Sequence, residues 1–472
     1  MVFSSATFLI VFLPVTMVLY YLVGVLLTKN TTVKNVILLL ASLVFYAWGE
    51  PVYIILMLLS ICFNYFIGRD MEQARMNRNE GKVKAIFVAG IIFNIAVLGF
   101  FKYSNFFLEN ISNLTGLAIK PLNLPLPVGI SFYTFQIMSY IVDLYSGKIK
   151  AQRSLATFAL YVSLFPQLIA GPIVKYKDVC DQLMNRKESW AMYSKGFNRF
   201  IIGLSKKLLL ANTLGSIYSS VQAAGTAEMS MLTAWIGIIC YTLQIYFDFS
   251  GYSDMAIGLG GMFGFEFCEN FNYPYIAVSV TDFWRRWHMS LSSWFRDYVY
   301  IPLGGNRCKV PRVIFNLMVV WLLTGFWHGA AWNFVIWGVY YGVILILEKY
   351  LFSLFLEKIP KIIRWLVTIV IVMVGWVFFS APSLGEAVNY IGAMFGYAVS
   401  VIDSNSLFIL ASNFALILIG IICSTPVYML LSSMFNEKRL SKVIIATTPV
   451  LLILCIIFMV SETYNPFLYF RF

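Results

Sequence analysis

The sequence has 472 residues, of which 60% are hydrophobic and only 12% are charged. A water-soluble chain carries about 25% charged residues, so this composition excludes an ordinary soluble protein. The formal net charge is +12, and the excess lies in short basic clusters between apolar runs, as the positive-inside rule expects of a membrane protein rather than a nucleic-acid-binding one. The seven cysteines are scattered without a CxxC pair, which indicates neither a disulfide framework nor a zinc site.

The first apolar run, residues 8–27, carries no charge along its length. A run of about 20 apolar residues can cross a hydrocarbon core of roughly 30 Å. No basic region precedes it and no small-residue cleavage site follows it. We therefore expect a first membrane span rather than a cleavable signal peptide.

Further apolar runs predict an all-α polytopic membrane protein. Placing the basic clusters in the cytoplasm puts the N-terminus outside, and an even number of crossings returns the C-terminus to the outside. The expected spans are residues 8–27, 36–48, 51–67, 85–101, 126–145, 203–222, 231–250, 313–325, 329–347, 365–380, 407–430 and 443–460.

Two apolar stretches do not fit as crossings. Residues 155–174 contain two prolines between basic clusters, and residues 255–265 are rich in glycine. Both are predicted to be re-entrant or broken segments, which membrane proteins tolerate where protein or a water-filled cavity surrounds them. A cavity near the middle of the bundle is therefore expected.

The chain contains only two histidines, His288 and His328. Histidine titrates near neutral pH, and an ionisable group at membrane depth is a functional candidate. His328 lies in an apolar stretch between predicted spans, which favours a functional role over a buried structural one. His288 follows Arg285 and Arg286 in a segment that mixes aromatic and cationic residues. That segment fits an interfacial helix, and it also fits an anion-binding wall at the mouth of a cavity.

Other polar residues occur in apolar surroundings. Asp248 and Asp254 end a predicted span and could line the cavity or pair with the arginines, and Asn333 could act similarly; interhelical hydrogen bonding explains the same residues. Residues 461–472 form an aromatic tail that fits an interfacial belt. Alternatively the tail folds back into the bundle and presents the Tyr469 hydroxyl, which needs a base to become a nucleophile.

Several sequence blocks together resemble the membrane-bound O-acyltransferase (MBOAT) family, and within it the bacterial branch of cell-envelope polysaccharide O-acetylation subunits. They cover about residues 40–345 and stand in the expected order. The blocks are LPVGISF at 126–132, FPQLIAGP at 165–172, FDFSGYSD at 247–254, WRRWH at 284–288 with WFRDY at 294–298 and IPLGGNR at 301–307, and WHGAAWN at 327–333.

The resemblance implies a bundle of about 11–13 transmembrane helices with re-entrant segments around a central tunnel. It implies that His328 is the catalytic histidine and His288 the second histidine of that tunnel. It also implies that Tyr469, in a C-terminal tyrosine motif, carries the acyl group outside. The chain departs from the family pattern at Gly261, where relatives often have arginine, and at Cys268, where they often have proline.

The implied activity moves an acetyl group from a cytoplasmic thioester across the membrane to an extracytoplasmic cell-wall polysaccharide or exopolysaccharide. Acetyl-CoA is the expected donor substrate, and no permanently bound cofactor or metal is expected. The donor is expected to bind at Arg285, Arg286 and Arg307, with Trp327 and Asn333. The expected partners are an extracytoplasmic SGNH-type transferase, the polysaccharide and membrane lipids, with no nucleic acid.

In the mechanism expected from these residues, His328 removes a proton from the acceptor hydroxyl, which attacks the thioester carbonyl. His288, Asn333 or a nearby N–H stabilises the oxyanion. Two other functions stay open on the sequence alone. One is D-alanyl transfer from a carrier protein to teichoic acid, against which the tyrosine tail on this same chain weighs. The other is small-solute transport, since broken helices also mark transport sites.

The whole chain, 1–472, is expected to form a single membrane-embedded domain. Its motif-bearing core is residues 40–345, and its tail, residues 461–472, is expected to be extracytoplasmic. The expected location is the bacterial plasma (inner) membrane, which the chain would cross many times.

Overall fold

The computed structural model describes residues 1–122, 124–226, 229–352, 355, 358–434, 436–461 and 467–468. Within these residues the regular structure is helical, and eleven helices are long and apolar enough to cross a membrane. This confirms the predicted all-α polytopic membrane protein. The eleven helices are Thr7–Leu27, Thr31–Gly49, Tyr53–Met76, Glu80–Thr115, Trp190–Ala223, Met231–Met262, Val310–His328, Trp332–Phe352, Lys361–Ser380, Ser404–Cys423 and Lys442–Ser461.

Shorter helices connect these spans, and one of them corrects the sequence prediction. Residues 126–145 form no full span, because their helix is Ile130–Tyr145, with 16 residues. Its length is about 24 Å, short of a hydrocarbon core of about 30 Å. Eleven crossings alone would leave the two termini on opposite sides of the membrane. The predicted extracytoplasmic C-terminus would need one further crossing, and it stays a prediction. The other short helices are Leu155–Ser163, Phe165–Leu168, Tyr176–Asn185, Val280–Arg286, Met289–Phe295, Leu384–Met394 and Val427–Ser433.

Helix ends coincide with residues whose side chains satisfy free backbone groups. The Asn30 side chain accepts a hydrogen bond from the Thr32 amide at the start of Thr31–Gly49. The Asn79 side chain does the same for Lys82 at the start of Glu80–Thr115, and Gly116 ends that helix with φ +71°. Such caps stabilise a helix by about 1 kcal/mol and fix the residue at which it begins or ends.

The two segments predicted to be broken behave differently. Residues 155–174 do break: the helices Leu155–Ser163 and Phe165–Leu168 are separated by the non-helical Leu164. The side chains of residues 157–168 are buried. Residues 255–262 do not break, since they belong to the continuous helix Met231–Met262, which ends inside the predicted segment 255–265. There the glycines allow close helix packing instead of a turn: a Cβ on Gly258 would lie 2.5 Å from the carbonyl oxygen of Gly196.

The chain divides into two compact units, residues 1–200 with 253–268, and residues 201–252 with 269–472. In the first unit, buried phenylalanines pack together, with Phe45 and Phe12 at 5.6 Å and 5.3 Å from Phe165 between ring centroids. The single domain predicted over residues 1–472, with its 40–345 core, stays a prediction.

The second unit has a core of large aromatic side chains. Trp287, Trp337 and Trp376 are almost fully buried, and the ring centroids of Trp287 and Trp376 lie 4.8 Å apart. Both histidines of the chain belong to this unit.

We expect Gly258→Ala to lower the stability of the protein by about 1–3 kcal/mol, because the added methyl group overpacks a tight contact. The contact involves the Gly196 carbonyl oxygen and the Phe200 amide nitrogen, which would lie 2.5 Å and 2.6 Å from the new Cβ. Thermal unfolding in detergent measures the effect. Gly99→Ala is the matched control, since a Cβ there meets nothing within 4 Å. Equal unfolding midpoints for the two variants would contradict the packing role of Gly258.

Candidate active site

His288 lies in a tight turn between the helices Val280–Arg286 and Met289–Phe295. Its backbone has φ +43° and ψ +53°, a left-handed conformation that non-glycine residues rarely adopt. The side chain is 1% exposed. A residue held in this conformation and buried requires surrounding structure that fixes it, and such positions are frequent at functional sites.

Asn270 supplies that support. Its backbone carbonyl accepts a hydrogen bond from the Met289 amide at 3.0 Å. Its side-chain oxygen accepts from the Ser290 amide at 3.2 Å and from the Ser290 hydroxyl at 2.9 Å. The same oxygen lies 3.1 Å from Nδ1 of His288. Asn270 therefore holds both the backbone and the imidazole of the turn.

These contacts determine the tautomer of His288. An amide N–H can only donate, so the Asn270 atom that receives the Ser290 amide is an oxygen, and Nδ1 of His288 must donate to it. The lone pair of the neutral ring then lies on Nε2. Burial lowers the pKa of His288 to about 3, so the ring is neutral near pH 7. A neutral imidazole with this tautomer accepts a hydrogen bond or a proton at Nε2.

His328 is the last residue of the helix Val310–His328 and is buried, with 3% exposure. Aromatic rings surround it: the centroids of Trp337 and Phe379 lie 5.0 Å and 5.2 Å from its own. The rings of His328 and Trp327 lie 5.0 Å apart, and the Trp327 ring lies 5.9 Å from His288. Trp327 thus contacts both histidines, which are 40 residues apart in the sequence.

Buried hydrogen-bond donors accompany this arrangement. The indole N–H groups of Trp284 and Trp337 and the hydroxyl of Tyr341 have no hydrogen-bond partner among the described residues. The rings of Trp337 and Tyr341 are 5.2 Å apart, and Trp284 lies 4.9 Å from Tyr341. Buried polar groups normally have partners. Donors of this kind beside a histidine suit the recognition of a carbonyl or thioester oxygen.

The predicted donor-binding residues do not all lie at the histidines. Arg285 and Arg307 are exposed. Arg286 is half-buried and donates from Nε to Asp282 at 2.8 Å, an ion pair one helical turn apart. The amide of Asn333 donates to the carbonyl oxygens of Ala381 at 3.0 Å and Phe378 at 3.4 Å. Asn333 therefore ties the start of its helix to the C-terminal end of the helix Lys361–Ser380.

Asp248 and Asp254, the two carboxylates of the 247–254 block, form ion pairs with cationic residues other than Arg285 and Arg286. Asp248 lies 2.6 Å from Lys207, and both side chains are almost fully buried. Asp254 lies 2.9 Å from Arg199. Of the two alternatives given for these carboxylates, pairing with Arg285 or Arg286 is therefore wrong, whereas lining a cavity stays a prediction. Those arginines lie on a different helix, where Asp282 is the nearer carboxylate for Arg286.

Tyr469 lies outside the described residues, whereas Phe467 and Leu468 before it are described and buried, with 9% and 6% exposure. The Leu468 amide donates to Oδ2 of Asp248 at 2.9 Å. The prediction that the tail folds back into the bundle is confirmed for these two residues.

Sequence reasoning missed Asn270 and Trp337. Asn270 is a polar residue in an aromatic segment 18 positions before His288, and that spacing matches no helical period. Trp337 belongs to an aromatic-rich span in which no single ring stands out. A polar side chain inside an apolar segment is the one signal that could have identified Asn270.

The buried state of His288 predicts a pH dependence of stability. The unfolded chain takes up a proton on His288 below about pH 6.5, whereas the folded chain does so only near pH 3. The contribution of His288 to the free energy of unfolding is therefore fully present above about pH 6.5, and it is lost as the pH falls below this value. The loss is about 1.4 kcal/mol per pH unit.

We expect His288→Asn to remove this part of the pH dependence, because Asn tolerates the left-handed backbone but does not titrate. As the pH is lowered from about 6.5 to about 4, the thermal unfolding midpoint of the wild type should decrease more than that of the variant. Thermal unfolding of both proteins across this range measures it. A pH-independent difference between the two midpoints would contradict a buried neutral His288.

Comparison with known proteins identifies the family to which this site belongs. Residues 148–385 match the membrane-bound O-acyltransferase family. The chain is 42% identical over 404 residues to the probable alginate O-acetylase AlgI of Pseudomonas aeruginosa, covering 84% of this chain and 75% of the relative. It is 36% identical over 426 residues to the peptidoglycan O-acetyltransferase of Helicobacter pylori, covering 84% and 80%.

A further relative is the teichoic acid D-alanyltransferase of Bacillus subtilis, 31% identical over 258 residues, covering 52% of this chain and 63% of the relative. The matched family segment contains both histidines and Trp327. The chain therefore belongs to the membrane-bound O-acyltransferase family and is a multi-pass membrane O-acyltransferase.

Proposed function

We propose that this protein transfers acetyl groups from a cytoplasmic thioester, acetyl-CoA, across the membrane for O-acetylation of an extracytoplasmic cell-wall polysaccharide or exopolysaccharide. The observation that carries the proposal is the meeting of the two histidines at Trp327, inside a buried aromatic site. A histidine ring nitrogen can remove a proton from a hydroxyl group, which is the role proposed for His328. The protein would act in the bacterial plasma (inner) membrane.

The relatives favour acetyl over D-alanyl transfer. The alginate and peptidoglycan acetylases match 84% of the chain, whereas the D-alanyltransferase matches 52% at lower identity. Because the family is an acyltransferase family, the transport hypothesis is not retained.

In the proposed reaction the Tyr469 hydroxyl gives its proton to His328, and the tyrosine oxygen attacks the thioester carbonyl carbon. The carbon–sulfur bond breaks, and the leaving thiolate of CoA takes the proton from His328. An acetyl ester on Tyr469 results. An SGNH-type extracytoplasmic transferase would then move the acetyl group to a polysaccharide hydroxyl and restore the tyrosine. A general base of this kind contributes about 10²–10⁴-fold to the rate.

The tautomer of His288 does not suit oxyanion stabilisation. With Nδ1 donating to Asn270, the neutral ring has no N–H left for an oxyanion, and Nε2 can only accept. The single proton of the Tyr469 hydroxyl goes to His328, so His288 is assigned no proton-transfer role. The oxyanion needs donors, and Asn333 uses its amide on two backbone carbonyls. The indole N–H of Trp337, 5.0 Å from His328 between ring centroids, is the donor we assign.

The labelling of Tyr469 tests this proposal. We expect isotope-labelled acetyl-CoA to label the C-terminal peptide of the purified protein, as measured by mass spectrometry. Tyr469→Phe removes the acceptor oxygen and should abolish the label. His328→Ala removes the base and should reduce labelling at least about 10²-fold. Tyr464→Phe alters a tyrosine of the same tail and should leave the label in place.

Full labelling of His328→Ala would refute the role of His328 as base. An unlabelled wild type that instead accepts D-alanine from a carrier thioester would replace the proposed donor. Label in Tyr469→Phe would place the acetyl group on another residue.

The exposed arginines predict a separate effect on the donor. We expect Arg285→Gln and Arg307→Gln each to raise the KM for acetyl-CoA by about tenfold, because each would lose a charged hydrogen bond to phosphate. The kcat should change little. Arg312→Gln, an exposed arginine close in sequence to Arg307, is the control. Steady-state kinetics at constant salt measure this, and unchanged KM values in both variants would move the donor site elsewhere.

A further inference from the structure

A buried ion pair joins two membrane-spanning helices, Trp190–Ala223 and Met231–Met262. Lys207 lies in a π-helical segment, Lys206–Ala211, and Asp248 lies on the helix Met231–Met262. The Lys207 ammonium is 2.6 Å from Oδ1 of Asp248, and the two side chains are 4% and 2% exposed. Charged groups at membrane depth are costly and commonly serve a function. The mechanism proposed above does not use this pair.

The C-terminal tail meets this pair through its backbone. The Leu468 amide donates to Oδ2 of Asp248 at 2.9 Å, so the two oxygens of one carboxylate have separate partners. A hydrogen bond to an ionised carboxylate is about twice as strong as a neutral one. Without the tail, Oδ2 would lose this partner in a buried position, which is unfavourable.

The side chain before Leu468 strengthens the same contact. The Phe467 ring packs on Tyr252, one helical turn after Asp248, with 4.8 Å between ring centroids. It also lies 5.9 Å from the Lys207 ammonium, within the range of a cation–π interaction. One backbone hydrogen bond and one aromatic ring thus tie the tail to Lys207, Asp248 and Tyr252.

We propose that Lys207 and Asp248 form the anchor of the C-terminal tail, and that this anchor positions the following residue, Tyr469, for acyl transfer. Lys207 fixes the carboxylate of Asp248, and Asp248 holds the Leu468 amide; both are positioning residues. Anchoring of Leu468 does not depend on the proposed function, whereas the consequence for Tyr469 rests on it.

Two double variants isolate the anchor. Lys207→Met/Asp248→Asn and Lys207→Met/Asp248→Leu both remove the buried charges with side chains of similar size, which the interior tolerates better than one unpaired charge. Only the first keeps an oxygen that can accept from the Leu468 amide. The measurement is hydrogen–deuterium exchange of the Leu468 amide in the full chain in detergent, resolved by mass spectrometry.

We expect exchange at Leu468 to be about tenfold faster in Lys207→Met/Asp248→Leu than in Lys207→Met/Asp248→Asn, because only the latter retains the hydrogen bond. Equal exchange in both variants would overturn the anchor. If the leucine variant does not fold, Phe467→Ala tests the same contact without altering a membrane helix. Faster exchange there supports the anchor, and wild-type exchange overturns it.

Labelling of Tyr469 by acetyl-CoA separates the two proposals. We expect the leucine double variant to lose about tenfold in labelling rate relative to the asparagine double variant, with an unchanged KM for acetyl-CoA. Equal labelling despite faster exchange would refute the positioning of Tyr469. An unlabelled wild type would refute the acyl-tyrosine, and the exchange result would still decide the anchor.

Discussion

Hydrocarbon offers no hydrogen-bond partners, so a polar group inside a membrane-spanning bundle must find its partner within the protein. His288 has Asn270, Asp248 has Lys207 and the Leu468 amide, and Asn333 has two backbone carbonyls. Each of these contacts joins segments that are distant in sequence. The polar residues therefore fix how the apolar helices are arranged, and the candidate active site is built from the same contacts.

The membrane spans could be predicted because apolar length is a local property of the sequence. The two errors in the predicted spans and broken segments arose where the local amino-acid composition is ambiguous. The glycines near Gly258 suggested a break, although glycine serves equally well for close helix packing. Residues 126–145 are apolar enough for a span but form the buried helix Ile130–Tyr145, since burial in protein also selects apolar residues.

The candidate site could be predicted in part. His288 and His328 stood out because histidine is rare in this chain, and the family suggested by the sequence blocks is confirmed. Their meeting at Trp327 could not be foreseen, since 40 residues separate them. The pairing of Lys207 with Asp248 was missed for the same reason. A role was assigned more readily to exposed charged residues such as Arg285 than to buried ones.

The turn at His288 has a counterpart at Tyr273, which also has a left-handed backbone, with φ +44°. The amide of Asn272, next to Tyr273, donates to the carbonyl of Arg286 at 2.9 Å, which connects the two loops. Both residues hold conformations that glycine or asparagine would adopt at lower cost. Selection for thermostability, as used to prepare membrane proteins for crystallography, should therefore favour substitutions at Tyr273 and His288. A variant at Tyr273 would relax the backbone next to the loop that holds the imidazole, and a variant at His288 would lose the imidazole itself. Both would be poor templates for designing inhibitors of this site.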